Sequence, residues 1–309
     1  MPVDHALRPL RSALLTDRPA DIFRFLRDAM IEGRRCALVT LVEIIDGASR
    51  ALGAHMAVSE DGSYCGFVSG GCVEAAVARE ALEAISTGSD RVCRLGKGSP
   101  YFDIVLACGG GIRLTIHVLR TPDCLDAVLA AMAARKSIGL AYDPHRQTLS
   151  LDEAPTTGWH DGSFTSVYRP DPQILLSGTG LESLSLTKAA RAVDLDIVQA
   201  DADLVYSSAD RDTAIVLLHH DIEKELPVLR SALRSEAFYI GCLGSRRTHA
   251  RRREILQQQG YSSEQLQRIH APIGLFGPAR DARSLAVSVL ADILSHVERR
   301  RQEAISLGQ

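Results

Sequence analysis

The 309-residue chain is 46% hydrophobic and 24% charged, with a formal net charge of −3, as in an ordinary globular protein. This charge gives the surface no general attraction to nucleic acid or to an anionic membrane, so any anion site has to be local. No apolar run approaches the ~20 residues of a membrane span, and the seven cysteines include no C-x-x-C pair. With no visible secretory signal, we expect a cytoplasmic protein without disulfides or structural zinc.

The first half of the chain is predicted to mix helices and strands. Residues 17–33 form an amphipathic helix, with Asp17 as a possible cap. Residues 36–45 are nearly continuous in apolar character, as in a strand that is buried on both faces. A strand at 55–59, an Asp61-Gly62 turn and a further strand form a hairpin.

Glycine-rich turns that carry a thiol or an arginine distinguish this half. The hairpin runs into Ser69-Gly70-Gly71-Cys72, and a helical pattern begins at Glu74. Paired glycines let the backbone approach a ligand closely, and a thiol at a helix N-terminus lies where the backbone N–H groups favour the thiolate. Cys108-Gly109-Gly110 is a second such turn, and Arg50 lies on a third loop. The alternative for Cys72 is a buried cysteine in a packing turn.

The middle of the chain suggests a domain boundary. Residues 152–172 are rich in Pro, Gly, Ser, Thr and Asp, and we interpret them as a linker between domains at 1–151 and 173–309. Beyond the linker, strands and helices alternate, which predicts a parallel sheet with helices on both faces. The predicted fold class is therefore α/β, with a mixed N-terminal domain and a Rossmann-like, doubly wound C-terminal domain.

One turn in the second half has the spacing of a dinucleotide-binding fingerprint. Gly178-x-Gly180 follows a strand, and Asp201 lies about twenty residues further on. However, Ser183 replaces the third glycine, and Glu182 brings a negative charge to the first turn of the helix, where a diphosphate should bind. We therefore treat Gly178, Gly180 and Asp201 as weaker candidates and expect weak or no binding of NAD.

A second strand-to-helix turn is a better candidate anion site. Its glycines give backbone access, its serine supplies a hydroxyl, and its arginines can clamp phosphate oxygens. The arginines at 251–253, in the following helix, are expected to form a solvated face, and His219-His220 and His270 are expected to be structural. The candidate residues of the turn are Gly241, Gly244, Ser245, Arg246 and Arg247.

Motifs in both halves resemble the XdhC/CoxI accessory-factor family. The N-terminal matches are Gly53–Met56, Ser69–Glu74 and Cys108–Gly110, and the C-terminal matches are Tyr239–Thr248 and Ala286–Ser288. The resemblance implies a chaperone, rather than an enzyme, that binds molybdenum cofactor and protects it while its terminal sulfur is installed. The chaperone then inserts the cofactor into an apo molybdenum hydroxylase of the xanthine or aldehyde dehydrogenase type. On this basis the candidate cofactor-binding residues are Arg50, Ser69, Gly70, Gly71, Cys72, Cys108, Gly109, Gly110, Gly241, Gly244, Ser245, Arg246 and Arg247, with Cys72 as a candidate contact of the molybdenum.

Some motifs depart from the family pattern. The loop Asp46–Arg50 keeps clearly only the arginine of the usual Gly-Ser-x-Pro-Arg, and Gly277–Ser284 replaces the usual Ile-Gly-Ala-x-Thr-Pro-Glu-Glu. These departures indicate a divergent subgroup, and the cargo that the resemblance implies is molybdopterin or its cytosine dinucleotide form. The implied partners are an apo molybdenum hydroxylase, a cysteine desulfurase, a cofactor nucleotidyltransferase and a second copy in a homodimer, with no nucleic acid or membrane. An NAD-linked oxidoreductase and an interaction module without a ligand remain as alternatives.

Overall fold

A computed structural model describes residues 9–97, 109–154 and 156–306. The chain divides into two compact units after Pro170, and each unit is considered by itself. No helix within these described ranges is long and apolar enough to cross a membrane.

Within its described residues, the first unit contains two sheets and three helices. The six-stranded sheet has the order β1-β4-β3-β2-β6-β5, and the four-stranded sheet has the order β8-β7-β10-β9. Neighbouring strands are antiparallel in both sheets, except that β1 runs parallel to β4. The elements are β1 (Arg11–Leu14), α1 (Pro19–Ile31), β2 (Cys36–Ile45), β3 (His55–Ser59), β4 (Ser63–Gly66), α2 (Glu74–Thr87), β5 (Arg91–Gly96), β6 (Gly111–Val118), α3 (Asp123–Ala133), β7 (Ile138–Asp143), β8 (Thr148–Asp152), β9 (Gly158–His160) and β10 (Ser163–Tyr168).

The strand β2 lies at the centre of this unit and is buried on both faces, as its sequence predicts. Val39 and Leu41 pack in the cluster that includes the apolar face of α2. Leu38, on the opposite face, packs in the cluster that includes α1, α3 and Tyr168. Because both faces carry apolar side chains, the sheet is covered on both sides.

The register of the sheet brings three loops to one end of it. Ile45 at the end of β2 pairs with Gly111 at the start of β6, which also pairs with Gly96 at the end of β5. Met56 near the start of β3 pairs with Gly66 at the end of β4. The β2–β3 loop, the β4–α2 loop and the β5–β6 connection therefore start or end side by side.

The predicted linker at 152–172 is wrong. Residues Gly158–His160 and Ser163–Tyr168 are strands of the four-stranded sheet, and β10 pairs with β7 along five residues. Phe164 and Tyr168 are buried in the first unit. Their burial makes this segment part of the first core, so the division between the units falls at Pro170.

The second unit is a parallel sheet of order β12-β11-β13-β14-β15 with helices on both faces. This arrangement confirms the predicted Rossmann-like, doubly wound fold class. Helices α5 to α8 contribute to the apolar cluster on one face, and α4 and α9 to the cluster on the other. The elements are β11 (Gln173–Ser177), α4 (Leu181–Ala192), β12 (Asp196–Gln199), α5 (Ala202–Ser208), β13 (Thr213–Leu217), α6 (Ile222–Arg234), β14 (Tyr239–Cys242), α7 (Arg246–Gln258), α8 (Ser263–Gln267), β15 (Ile269–His270) and α9 (Ala282–Ser306).

Candidate functional site

Cys72 lies on the loop between β4 and α2, residues 67–73, which we call the cysteine loop. Its side chain is exposed, and it comes directly before the residue that caps α2. Burial raises the pKa of the thiols of Cys36 and Cys93 to about 11 and that of Cys65 to about 12. Those thiols stay protonated and inert at neutral pH. Among the cysteines that the structure describes, Cys72 is the exposed one, and it is the thiol best placed to meet a ligand.

The buried carboxylate of Glu74 holds the cysteine loop. It accepts hydrogen bonds from the N–H groups of Ser69 at 2.8 Å, Val68 at 3.2 Å and Val73 at 3.2 Å. The Ser69 hydroxyl donates to both carboxylate oxygens at 2.9 Å. Because these donors come from both ends of the turn, one side chain at the start of α2 fixes the loop that presents Cys72.

Arg50, on the β2–β3 loop, also contacts the cysteine loop. Its Nε donates to the carbonyl of Ser69 at 3.3 Å, and its guanidinium lies 5.5 Å from the centre of the Phe67 ring. The Ser69 hydroxyl in turn lies 3.6 Å from Cys72 Sγ. The structure therefore brings Arg50, Ser69 and Cys72 together, and their predicted role in binding a cofactor stays a prediction.

Lys97 and Gly110, at the two described ends of the β5–β6 connection, adjoin the β2–β3 loop. The carbonyl of Gly110 accepts a hydrogen bond from the N–H of Lys97 at 3.0 Å, and the Lys97 side chain pairs with Asp46 on the β2–β3 loop. Cys108 lies outside the described residues, so its predicted role stays a prediction. Gly109, which follows it, lies at the same end of the sheet as the cysteine loop.

The candidate glycines of this unit differ in the space around them. Gly71 (φ +101°) and Gly109 (φ +69°) have open space where a Cβ would lie, and the nearest atom at Gly70 is a serine hydroxyl 3.5 Å away. A Cβ on Gly110 would instead collide with the carbonyl oxygen of Gly47. Gly70, Gly71 and Gly109 therefore leave room for a ligand to approach the backbone, whereas Gly110 serves loop packing.

In the second unit, the turn before α7 presents two exposed arginines. Ser245 caps the helix by accepting a hydrogen bond from the N–H of Thr248 at 3.2 Å. Arg246 and Arg247 lie in the first turn, and neither pairs with an acidic residue in the described part of the chain. Cations are unfavourable next to the positive end of a helix dipole, so these two arginines do not stabilise the helix, and their predicted role as an anion site stays a prediction.

Two expectations for this turn are wrong. A Cβ on Gly241 would lie 2.5 Å from Ile273 Cδ1, so this glycine is required by packing and gives a ligand no access. Arg252 is fully buried and is not part of a solvated face. Its guanidinium pairs with buried Glu225 at 2.5 and 2.9 Å and donates to the carbonyl of Leu243 at 2.9 Å. This ion pair holds the turn that leads to Ser245.

The dinucleotide-like turn is occupied by other contacts. A Cβ on Gly178 (φ +132°) would lie 2.6 Å from the carbonyl oxygen of the residue after β13, so that glycine serves packing. Glu182 lies in the first turn of α4, with a carboxylate oxygen 3.5 Å from the Cβ position of Gly180. The Asp201 carboxylate caps α5 by accepting from a backbone N–H at 2.9 Å. A diphosphate would meet the Glu182 carboxylate here.

The histidines at the ends of the parallel strands make protein contacts. His219 Nε2 lies 3.0 Å from Ser177 Oγ, and burial lowers its pKa. His220 is exposed and lies 3.9 Å from Glu182, and His270 stacks on a buried tyrosine. No group of three or more His, Cys, Asp or Glu in the described ranges is arranged to hold a metal ion.

Sequence reasoning missed the roles of two acidic residues. The helical pattern predicts Glu74 only as the first residue of α2, although an acidic residue directly after a glycine turn is a signal for capture of loop N–H groups. The predicted capping of α1 by Asp17 is wrong, because Arg18 occupies the cap position. The carboxylate of Asp17 pairs instead with Arg50 Nη1 at 2.6 Å. The positions of the two residues in the sequence do not predict this contact.

Comparison with known proteins places both halves of the chain in one family. The family model described as "XdhC and CoxI family" matches residues 30–96, and the one described as "XdhC Rossmann domain" matches residues 174–293. The Molybdenum cofactor insertion chaperone PaoD of Escherichia coli K12 is 48% identical, over 94% of this chain and 92% of its own. The chain belongs to the XdhC/CoxI family.

More distant relatives agree with this membership. A protein of Bacillus subtilis 168 that is named as a probable xanthine dehydrogenase component is 24% identical over 88% of this chain and 96% of its own. A crystal structure described as a xanthine dehydrogenase from Bacillus halodurans superposes with a TM-score of 0.71 at 19% identity, covering 91% of this chain and 96% of the other. At that identity the structural likeness shows a shared fold.

Proposed function

We propose that this protein is a carrier of molybdenum cofactor that binds the cofactor, protects it while its terminal sulfur is installed, and inserts it into an apo molybdenum hydroxylase. Family membership supports the proposal, as does the relative that is named a molybdenum cofactor insertion chaperone. The observation that carries it is the exposed Cys72 thiol, on an open glycine loop that Arg50 also binds.

The chemistry of the described residues fits such a cargo. Molybdenum cofactor bears phosphate, which suits a guanidinium and free backbone N–H groups, and its metal and sulfur atoms suit a soft thiol ligand. Arg50 and Cys72 supply a guanidinium and a thiol on adjoining loops, and the open Cβ positions of Gly70 and Gly71 leave room for the cargo to approach the backbone. We assign the metal to the cargo rather than to a resident site of the protein.

The cargo is held for transfer rather than for reaction. A carrier has to release what it binds, so a few reversible contacts serve it better than a deep, fully enclosed site. The exposed thiol and the partly exposed guanidinium of Arg50 are contacts of this kind. A cysteine desulfurase and a cofactor nucleotidyltransferase are the expected upstream partners, the latter if the cargo is the cytosine dinucleotide form.

Arg246 and Arg247 are proposed as a second contact, for a phosphate of the cargo or an acidic surface of the client. This proposal is supported by the exposure of both arginines, neither of which pairs with an acidic residue among the described residues. NAD is not proposed as a ligand, because Glu182 lies where its diphosphate would bind.

Purification from cells that make the cofactor tests the proposal. Wild-type protein, Cys72→Ser and the matched control Cys124→Ser, which changes a half-buried thiol, would be isolated without oxygen and assayed for molybdenum and pterin. We expect wild type and Cys124→Ser to carry similar amounts of cofactor, and Cys72→Ser at least tenfold less. Absence of cofactor from the wild type would contradict the carrier function, and equal retention by Cys72→Ser would reduce Cys72 to a packing residue.

A further inference from the structure

Asp17 lies against the guanidinium of Arg50. Its Oδ2 accepts a hydrogen bond from Arg50 Nη1 at 2.6 Å, although 60% of its side chain remains exposed. Arg50 Nε is already used by the carbonyl of Ser69. A phosphate held in bidentate fashion uses two guanidinium nitrogens at once, and Asp17 occupies one of the two terminal nitrogens available for such a contact.

The segment that carries Asp17 is fixed beside the cysteine loop. β1 pairs in parallel with β4, the strand that runs directly into that loop. After β1, the N–H of Arg18 donates to Thr16 Oγ1 at 3.1 Å, and the Thr16 hydroxyl donates to Asp21 at 3.0 Å. Because Arg18 is the cap residue of α1 and makes no side-chain cap bond, the carboxylate of Asp17 is not needed by the helix.

We propose that Asp17 is an internal competitor of the anionic cargo for Arg50 and so sets how readily the cargo is released. This inference rests on the proposed function. When the cargo is absent, the carboxylate neutralises the guanidinium and holds it near Ser69. When an anion binds, Asp17 has to give up Arg50, and its negative charge then favours the return of the arginine and departure of the anion. An exposed ion pair of this kind is weak enough to exchange.

Binding measurements on four variants test the competition. The probe is molybdenum cofactor released without oxygen from a purified molybdenum hydroxylase, and bound pterin is quantified after equilibrium filtration. Asp17→Asn keeps the size of the side chain and removes its charge. Asp28→Asn is the matched control, because it removes the same charge from an exposed residue that pairs with Arg27. Arg50→Ala and the double variant Asp17→Asn/Arg50→Ala complete the set.

We expect Asp17→Asn to bind the cofactor about two- to fivefold more tightly, in line with the strength of an exposed ion pair, and Asp28→Asn to bind as the wild type does. Arg50→Ala should bind more than tenfold more weakly, and adding Asp17→Asn to it should change nothing further. Unchanged affinity in Asp17→Asn would overturn the competitor role, as would an equal gain in Asp28→Asn or in the double variant. Failure of the wild type to bind the cofactor at all would instead overturn the carrier function itself.

Discussion

Glu74 fixes the cysteine loop through its carboxylate, which accepts hydrogen bonds from three backbone N–H groups and one hydroxyl. The residue is only 3% exposed. Such a residue is a positioning residue, because it touches the loop rather than the proposed cargo. Hydrogen bonds to a charged group are worth more than neutral ones, and a buried donor left without an acceptor carries the full cost of desolvation.

Replacing Glu74 with Gln should separate this role from simple packing. Glutamine offers one oxygen and turns an N–H₂ group toward backbone donors, so we expect the free energy of unfolding to fall by about 2–4 kcal/mol. Cofactor content should fall with it. Glu83→Gln, on the exposed face of the same helix, is the control and should change neither. Urea unfolding and pterin assay of both variants check the prediction, and unchanged stability of Glu74→Gln would contradict it.

His55 makes the stability of the first unit depend on pH. Its ring lies between Thr40 Oγ1 at 3.1 Å and Tyr168 Oη at 2.6 Å, and burial lowers its pKa from 6.5 to about 4. Between these values the unfolded chain binds a proton that the folded chain does not bind. Stability contributed by the neutral ring is therefore complete above pH 6.5 and is lost progressively as the pH falls toward 4.

We expect acidification from pH 6.5 to pH 5 to lower the free energy of unfolding by about 2 kcal/mol through His55. His55→Gln should remove that part of the pH dependence, whatever its effect on stability at neutral pH. Replacement of exposed His145 with Gln should leave the wild-type slope. Unfolding curves over this pH range give the slopes, and identical slopes in wild type and His55→Gln would show that the group does not titrate as described.

Helix α7 combines a buried ion pair with exposed cations at its start. Arg252 and Glu225 fix the helix to the preceding turn, whereas Arg246 and Arg247 lie beside the positive end of the helix dipole. Substitution of the buried arginine and substitution of the two exposed arginines should therefore change the stability in opposite directions. Loss of the buried cation would leave Glu225 unpaired, but loss of the exposed pair would relieve an unfavourable charge.

The double change Arg246→Ala/Arg247→Ala should therefore raise the free energy of unfolding slightly, by about 0.5–2 kcal/mol. Affinity for the cofactor or for the client apoenzyme should fall more than tenfold, since two charge-assisted contacts are lost. Arg251→Ala, on the same helix, is the control and should change neither the affinity for the cofactor nor the affinity for the client apoenzyme. Denaturant unfolding gives the stability of each variant, and separate binding assays give its affinity for the cofactor and for the client. Unchanged affinities in the double variant would assign Arg246 and Arg247 to the solvated surface.

The strands and helices with strong apolar patterns could be predicted from sequence, and β10 could not. β2 is almost continuously apolar, so its burial on both faces was evident. In β10, the polar residues Thr165 and Ser166 are themselves buried, and Thr165 is satisfied by a hydrogen bond to Asp152. A buried strand that carries consecutive polar residues resembles a loop in composition, which is why the predicted linker included β10.

The candidate site was predicted as residue types but not as contacts. Glycine turns that carry a thiol or an arginine can be recognised from the sequence, because the residues that define them are neighbours along the chain. Contact between Arg50 and Ser69 depends on the pairing of β2 with β3 and of β3 with β4, and the pairing of Asp17 with Arg50 depends on β1 lying beside β4. Such relationships arise from strand register, which the spacing of residues along the chain does not specify.

Each unit of the chain has its own core, and the division after Pro170 predicts how the chain can be cut. A fragment of residues 1–170 should fold cooperatively, because it keeps β10 and the hydrogen bond between Tyr168 and His55. A fragment of residues 1–151 should not, because it removes the strand that pairs with β7. Thermal melts of the two fragments check this, and a cooperative melt of the shorter fragment at the same temperature would show that β9 and β10 are dispensable.

Delivery of the cofactor tests the carrier function most directly. Full-length protein loaded with molybdenum cofactor would be mixed in air with an apo molybdenum hydroxylase, beside an equal amount of free cofactor. We expect the loaded protein to restore hydroxylase activity at least tenfold more effectively, because bound cofactor is protected until it is handed over, and Cys72→Ser to lose most of this advantage. Equal activation by free cofactor, or retention of the cofactor by this protein with no activation, would contradict the proposed function.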